Sequence, residues 1–319
     1  MKNFNFIFLG DILQVENNQG YSIVDNYILR KAHSQQIKTI KKYLDEYKKL
    51  YAVNIFEHDK RDVKSGTFKG GYEFSPVNKK DWNYWAIEHT NSQMEAKFYR
   101  TLALSSLDLT VLFESVLVDN VYRGIIQKEL SSINFFINNK GFNLEPKIIN
   151  EQTLAEVRYI YNAINEFELK KHKFDFIEKA ISDFIKLKDI SRDSPFMILG
   201  YFSILEILLT TNKSKNIIEN SINHQLQKKI KLLNNRLDNP LNFLDYFKGS
   251  NTNTTEKIIE KLYQYRSDIA HGNISDFEKE LSILKKRKKD IGGFLRTLIQ
   301  KIIVKALLES QLIKDLREC

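Results

Sequence analysis

Apolar residues change their spacing along this 319-residue chain. In residues 3–9 and 21–29, β-branched and aromatic side chains alternate or cluster, the mark of strands. From about Tyr27 to Leu50 the steps lengthen to three and four, through Ile28, Ala32, Ile37, Ile40, Leu44 and Tyr47, which predicts a helix. Residues 51–90 hold a glycine turn, Lys69-Gly70-Gly71-Tyr72, and an aromatic segment from Trp82 to Ile87, and read as strands and loops. From Gln93 onward nearly everything is helical, with apolar stripes over Lys97–Leu117, Val121–Asn138, Gln152–Leu169 and Phe174–Leu187, and further helices at Phe196–Thr211, Ile222–Leu233 and Ile291–Leu312. Gly292-Gly293 is a candidate kink in the last of these.

Polar punctuation divides the pattern. Ser191-Arg192-Asp193-Ser194-Pro195 is a clear break, with Pro195 suited to the first turn of the next helix and Ser194 to its cap. Gly249 to Thr255 reads as a flexible loop, and Asn253 followed by Glu256 resembles a capping box. The helix so opened runs through Ile258, Ile259, Leu262, Tyr265, Arg266 and Ile269 and stops at Gly272. Ser275 with Glu278 is a second box, opening a helix through Leu284. The expected fold class is mainly α. A small α/β or β-rich region at 1–92 precedes a helical middle region at 93–193 and a helical bundle at 194–319.

Composition narrows this picture. Four prolines and twelve glycines suit long helices with short connections, and 42% hydrophobic residues suffice for a core. One cysteine, Cys319, excludes a disulfide framework or a cysteine-based zinc site within one chain. The net charge of +9 is compatible with a polyanionic partner, and equally with lysine-rich compositional drift. The apolar run at the N-terminus lacks a long hydrophobic core and a small-residue cleavage site, so no signal peptide is expected. Phe196 to Leu209, broken by Gly200, Ser203 and Glu206, is too short and polar to span a bilayer. A cytoplasmic protein without a membrane partner is expected.

The candidate chemistry gathers in Tyr265-Arg266-Ser267-Asp268-Ile269-Ala270-His271-Gly272. Arginine offers a permanently charged planar fork that fits a phosphate, and histidine transfers protons near neutral pH. On an ideal helix the two lie about 7.5 Å apart along the axis and about 140° apart around it. One copy supplies one arginine and one histidine, whereas RNA cleavage by 2′-hydroxyl attack benefits from a base, an acid and charge stabilisation. The spacing therefore points toward a dimer. The bland alternative is a histidine beside the last helical carbonyls and an arginine paired to a nearby acid such as Asp268. Glu206, a lone acid in an apolar helix, reads as a buried partner for an arginine or as a support for the site, and a Glu206–Arg266 pair would serve both.

Other features carry less. Lys285-Lys286-Arg287-Lys288-Lys289 reads either as an RNA-backbone contact or as a solvated helix end. Trp82, Tyr84 and Trp85 could stack bases, but their spacing favours the core of a small sheet. His33, His58, His89, His172 and His224 show no metal spacing, and no phosphate-binding or dinucleotide glycine pattern occurs.

The octapeptide resembles the signature of the HEPN superfamily, Arg-x(4–6)-His at the end of a bundle helix. Its form is most similar to the ApeA-like and abortive-infection HEPN domains of bacterial defence proteins. Phe202 to Leu209, with its glutamate in an apolar run, resembles their early bundle helix. The resemblance covers roughly 194–319 and does not extend to 1–193. It implies a helical bundle, a homodimer or higher oligomer, and a metal-independent endoribonuclease that needs no cofactor. Arg266 and His271 carry over as catalytic residues, with Glu206, Ser267 and Asp268 as supporting candidates. The partner it implies is RNA, with tRNA one candidate, and a trigger or inhibitory protein fits the defence or toxin–antitoxin setting. Many such domains only dimerise or bind RNA, so a non-catalytic role within a larger complex is the alternative.

Overall fold

The computed structural model describes residues 4–51, 58, 60–63, 73–125, 146–191, 194–211, 221–247, 254–273 and 288–319. The protein is mainly helical with an antiparallel sheet in its N-terminal part. It divides into two compact units, 1–161 and 162–319. That division falls inside a helix rather than at the 191–195 break.

In the first unit, β1 (Asn5–Leu9), β3 (Tyr21–Val24), β4 (Tyr27–Lys31), β7 (Trp85–His89), β8 (Val111–Val118) and β9 (Val121–Ile125) form one sheet in the order β3-β4-β7-β1-β8-β9. All its pairings are antiparallel. β2 (Leu13–Val15) pairs in parallel with β10 (Lys147–Ile149), and β5 (Lys60–Val63) pairs with β6 (Glu73–Pro76). Successive side chains of each strand point to opposite faces. Ile7, Leu29 and Ile87 join a core with Phe98 and Leu102 of α2 (Ala96–Leu104) and with Leu154, Val157 and Tyr161 of α3 (Glu151–Glu168). Phe6, Phe8, Ala86 and Phe113 join a second core with Ile40, Tyr43 and Leu44 of α1 (Ser34–Tyr51). The sheet is thus covered on both faces, which explains why its strands read as nearly continuous apolar runs.

Three expectations are corrected here. The helix expected from Tyr27 begins at Ser34, because residues 27–31 form β4, where Tyr27 and Leu29 are buried and Arg30 and Lys31 are exposed. The helix expected over Lys97–Leu117 ends at Leu104, and Val111–Val118 is a strand between β1 and β9. The helix expected from Val121 begins as β9, which returns from β8 through Asp119 and Asn120 at φ 50° and 61°. Two successive residues in the left-handed region make the tight turn that matches the twist of a hairpin. The middle region is therefore part strand, not helical throughout. The rest of that expected helix, 126–138, and the glycine turn at 69–72 lie outside the described residues.

The second unit is helical: α4 (Asp175–Lys186), α5 (Phe196–Leu209), α6 (Ile222–Asn235), α7 (Thr255–Ala270), α8 (Lys288–Leu308) and α9 (Ser310–Glu318) follow the end of α3. α5 is apolar nearly all round, the pattern of a helix at the centre of a bundle, and it contacts α4, α6, α7, α8 and α9. Gly200 lets α5 approach its neighbourhood closely, since a Cβ there would lie 2.3 Å from the Leu187 side chain. The last long helix continues through Gly292-Gly293 and breaks instead at Glu309. The helix expected after Ser275 lies outside the described residues. Among the described residues no helix is long and apolar enough to cross a membrane.

Candidate functional site

The site is built where α7 ends beside α5. α7 starts one residue later than the expected cap: the Thr254 side chain accepts from the Lys257 N–H at 3.3 Å. Its inward stripe, Ile258, Ile259, Leu262 and Tyr265, is buried. That stripe fixes the rotation of the helix and leaves Arg266, one position past Tyr265, half-buried at the margin.

The end of α7 is a Schellman motif. Gly272 donates to the Ile269 carbonyl at 3.2 Å, and Asn273 donates to the Asp268 carbonyl at 2.9 Å. Gly272 sits at φ 68°, where a side chain is unfavourable. His271 is the residue at the helix end, its own N–H bonded to the Ser267 carbonyl at 3.0 Å and its side chain exposed.

Arg266 meets Glu206 across the two helices. Its Nη2 lies 2.9 Å from Glu206 Oε1 and 3.2 Å from Oε2. The two side chains are 24% and 21% exposed, so the pair is shielded without being sealed. Arg266 Nε is buried with no hydrogen-bond partner among the described residues, so one donor of the fork is unmet. Burial pushes the Glu206 carboxyl above the usual carboxylate range, and the Arg266 charge opposes this. Tyr263, one turn back from Arg266, places its ring 5.4 Å from the guanidinium carbon, a cation–π contact. The same ring meets Phe202 of α5 edge-on at 5.6 Å. Burial raises the Tyr263 phenol, the Glu206 charge raises it further, and Arg266 opposes both.

Of the residues singled out in the sequence, Glu206 and Arg266 are brought together, and His271 stands exposed at the end of the same helix. Ser267 and Asp268 are half-buried on α7, and Asp268 accepts a hydrogen bond from Gln264 at 3.2 Å rather than engaging Arg266. Lys285, Lys286 and Arg287 lie outside the described residues, and Lys288 and Lys289 are the first described residues of α8. Tyr84 and Trp85 are buried in the cores on opposite faces of the sheet, whereas Trp82 is only half-buried. Among the described residues, no three His, Cys, Asp or Glu side chains gather as a metal ion would require. Sequence reasoning missed Tyr263; the available signal was an aromatic three residues before the arginine, on the same helical face.

The chain matches no family model, no curated protein and no solved structure.

Proposed function

We propose that the chain is a metal-independent endoribonuclease of the HEPN type, acting in a bacterial antiviral defence or toxin–antitoxin system. The carrying observation is the arrangement at the end of α7: an arginine oriented by Glu206 and Tyr263, with one donor unmet, on the helix that ends in an exposed histidine. Arg266 would hold the scissile phosphate and stabilise the charge that builds on its oxygens. An imidazole would take the proton of the 2′-hydroxyl as its oxygen attacks phosphorus. A second proton donor would protonate the departing 5′-oxygen, leaving a 2′,3′-cyclic phosphate and a 5′-hydroxyl. One chain places one histidine in this region, so the second comes most simply from a second copy across a two-fold axis. Ser267 and Asp268 would line the same helix end.

The ion pair also favours a second reading. An arginine already neutralised by Glu206 can be a structural tie between α5 and α7, and the bundle would then serve only dimerisation or RNA binding.

Incubating the full chain with tRNA and total RNA in EDTA separates the two. The first reading expects cleavage that survives chelation, yields cyclic-phosphate ends, and is lost in His271→Ala and strongly reduced in Arg266→Lys. Lysine keeps the charge but not the fork, so the Arg266→Lys effect is not merely an unpaired Glu206. RNA bound alike by all three chains and cut by none, with candidate triggers present, would leave only the second reading.

A further inference from the structure

A groove in the first unit suits a different task from the helix end of the second. It has a volume of about 730 Å³ and runs between α1 and the turn that precedes β7, with Lys38, Lys41, Lys42, Lys79, Ile37 and Trp82 in its lining. Trp82 is anchored by a hydrogen bond from its Nε1 to the Val77 carbonyl at 3.2 Å and by an edge-on contact with buried Tyr84 at 6.0 Å. The ring is therefore held by the fold while part of it remains accessible. The Lys41 ammonium lies 4.4 Å from the ring centroid and that of Lys79 lies 5.9 Å away.

A rigid, partly open indole flanked by ammonium groups is the arrangement that receives a nucleobase and its phosphate together. The base stacks on the ring, and an ammonium beside it meets the phosphate. The acids of the groove, Asp45 and Glu46, lie toward the C-terminal end of α1, and Lys42 is 4.0 Å from Glu46. Lys38 and Lys79 thus form the basic end, beside Trp82. From Ser34 to Glu46 the lining follows α1 for about 18 Å at 1.5 Å per residue. That is several times the roughly 3.4 Å rise of one nucleotide in a stacked strand. The dimensions suit a strand better than a single nucleotide. A duplex hides its base faces and could not reach the indole.

We propose that this groove binds a single-stranded polynucleotide, with Trp82 as the stacking platform and Lys38 and Lys79 as phosphate contacts. The site does not depend on whether the second unit cleaves RNA.

The test uses the whole 319-residue chain carrying His271→Ala, so that binding is read apart from cleavage. Labelled strands of about twelve nucleotides, as single-stranded RNA, single-stranded DNA and duplex, are titrated by anisotropy, and tryptophan emission is followed in parallel. Either single strand should quench Trp82, and the duplex should bind more weakly. Lys38→Glu with Lys79→Glu, both exposed positions, should weaken single-strand binding about tenfold or more and flatten its salt dependence. Trp82→Ala should weaken binding similarly. Trp82→Phe keeps a ring and should retain binding while removing the quench, which keeps the test decisive if the alanine variant fails to fold. Binding untouched by the paired charge reversals, emission unmoved by a bound strand, or AMP binding as tightly as the strand would each overturn the proposal.

Discussion

Glu206 is the residue on which the site's electrostatics turn. It is the acid of an otherwise apolar helix, and its carboxyl is held above the usual range by burial despite the arginine beside it. A carboxyl whose folded pKa is raised contributes stability that is fully present below its unfolded pKa, near 4.5, and is lost as pH rises through the higher folded value. Glu206→Gln abolishes that titration. The stability of the natural chain relative to Glu206→Gln should therefore decline from acid toward neutral pH, as urea unfolding at several pH values would show. A difference that stays flat or grows with pH would mean that Arg266, not burial, dominates. Arg266→Ala leaves a half-buried carboxylate without its cation and should cost about 1–3 kcal/mol of stability at neutral pH. The pairing was legible in the sequence because an acid inside a buried apolar helix demands a cation and Arg266 lies on a facing amphipathic helix. The place of Tyr263 was not, because an aromatic on a helix margin is indistinguishable from core until the rotation of the helix is known.

At the scale of the element, the end of α7 is set by one glycine. Gly272 adopts φ 68° with no neighbouring atom within 4 Å of a would-be Cβ, so backbone strain alone opposes a side chain there. Gly272→Ala should lower stability by about 1 kcal/mol. It should also speed hydrogen exchange at the amides of Gly272 and Asn273, which close the motif. Exchange left unchanged would show that the helix end tolerates the substitution without moving His271. The helices around this site were legible, because α4, α6 and α7 are long enough for a 3.6-residue stripe to stand out, and the unbroken apolar run of α5 is too long for a buried strand. β8 was not. Its first five residues, VLFES, are all buried, and a short segment buried on both faces has no period to separate strand from helix. The better signal was the turn at Asp119-Asn120, two residues that tolerate the left-handed region, between two β-branched segments. The misread strand shifted the expected middle region, not the residues of the candidate site.

At the scale of the whole molecule, the proposed chemistry has a stoichiometric consequence. Each chain brings one Arg266 and one His271, so a site with both a base and an acid histidine exists only when two copies meet. Cleavage per chain should then rise with protein concentration through the range in which sedimentation shows the monomer giving way to a dimer. Mixing supplies the sharper measurement. When chains carrying His271→Ala are exchanged in excess into the natural protein, every mixed dimer holds a single His271. Activity should then fall as the square of the fraction of natural chains rather than linearly, provided the variant dimerises as well as the natural chain does. Equal dimerisation is expected, because His271 is exposed at a helix end held by backbone hydrogen bonds, and its side chain supports no part of the buried core. A linear fall would mean that one chain carries a complete site. The second proton donor would then be sought in the same chain, and the two-fold arrangement would lose its mechanistic reason.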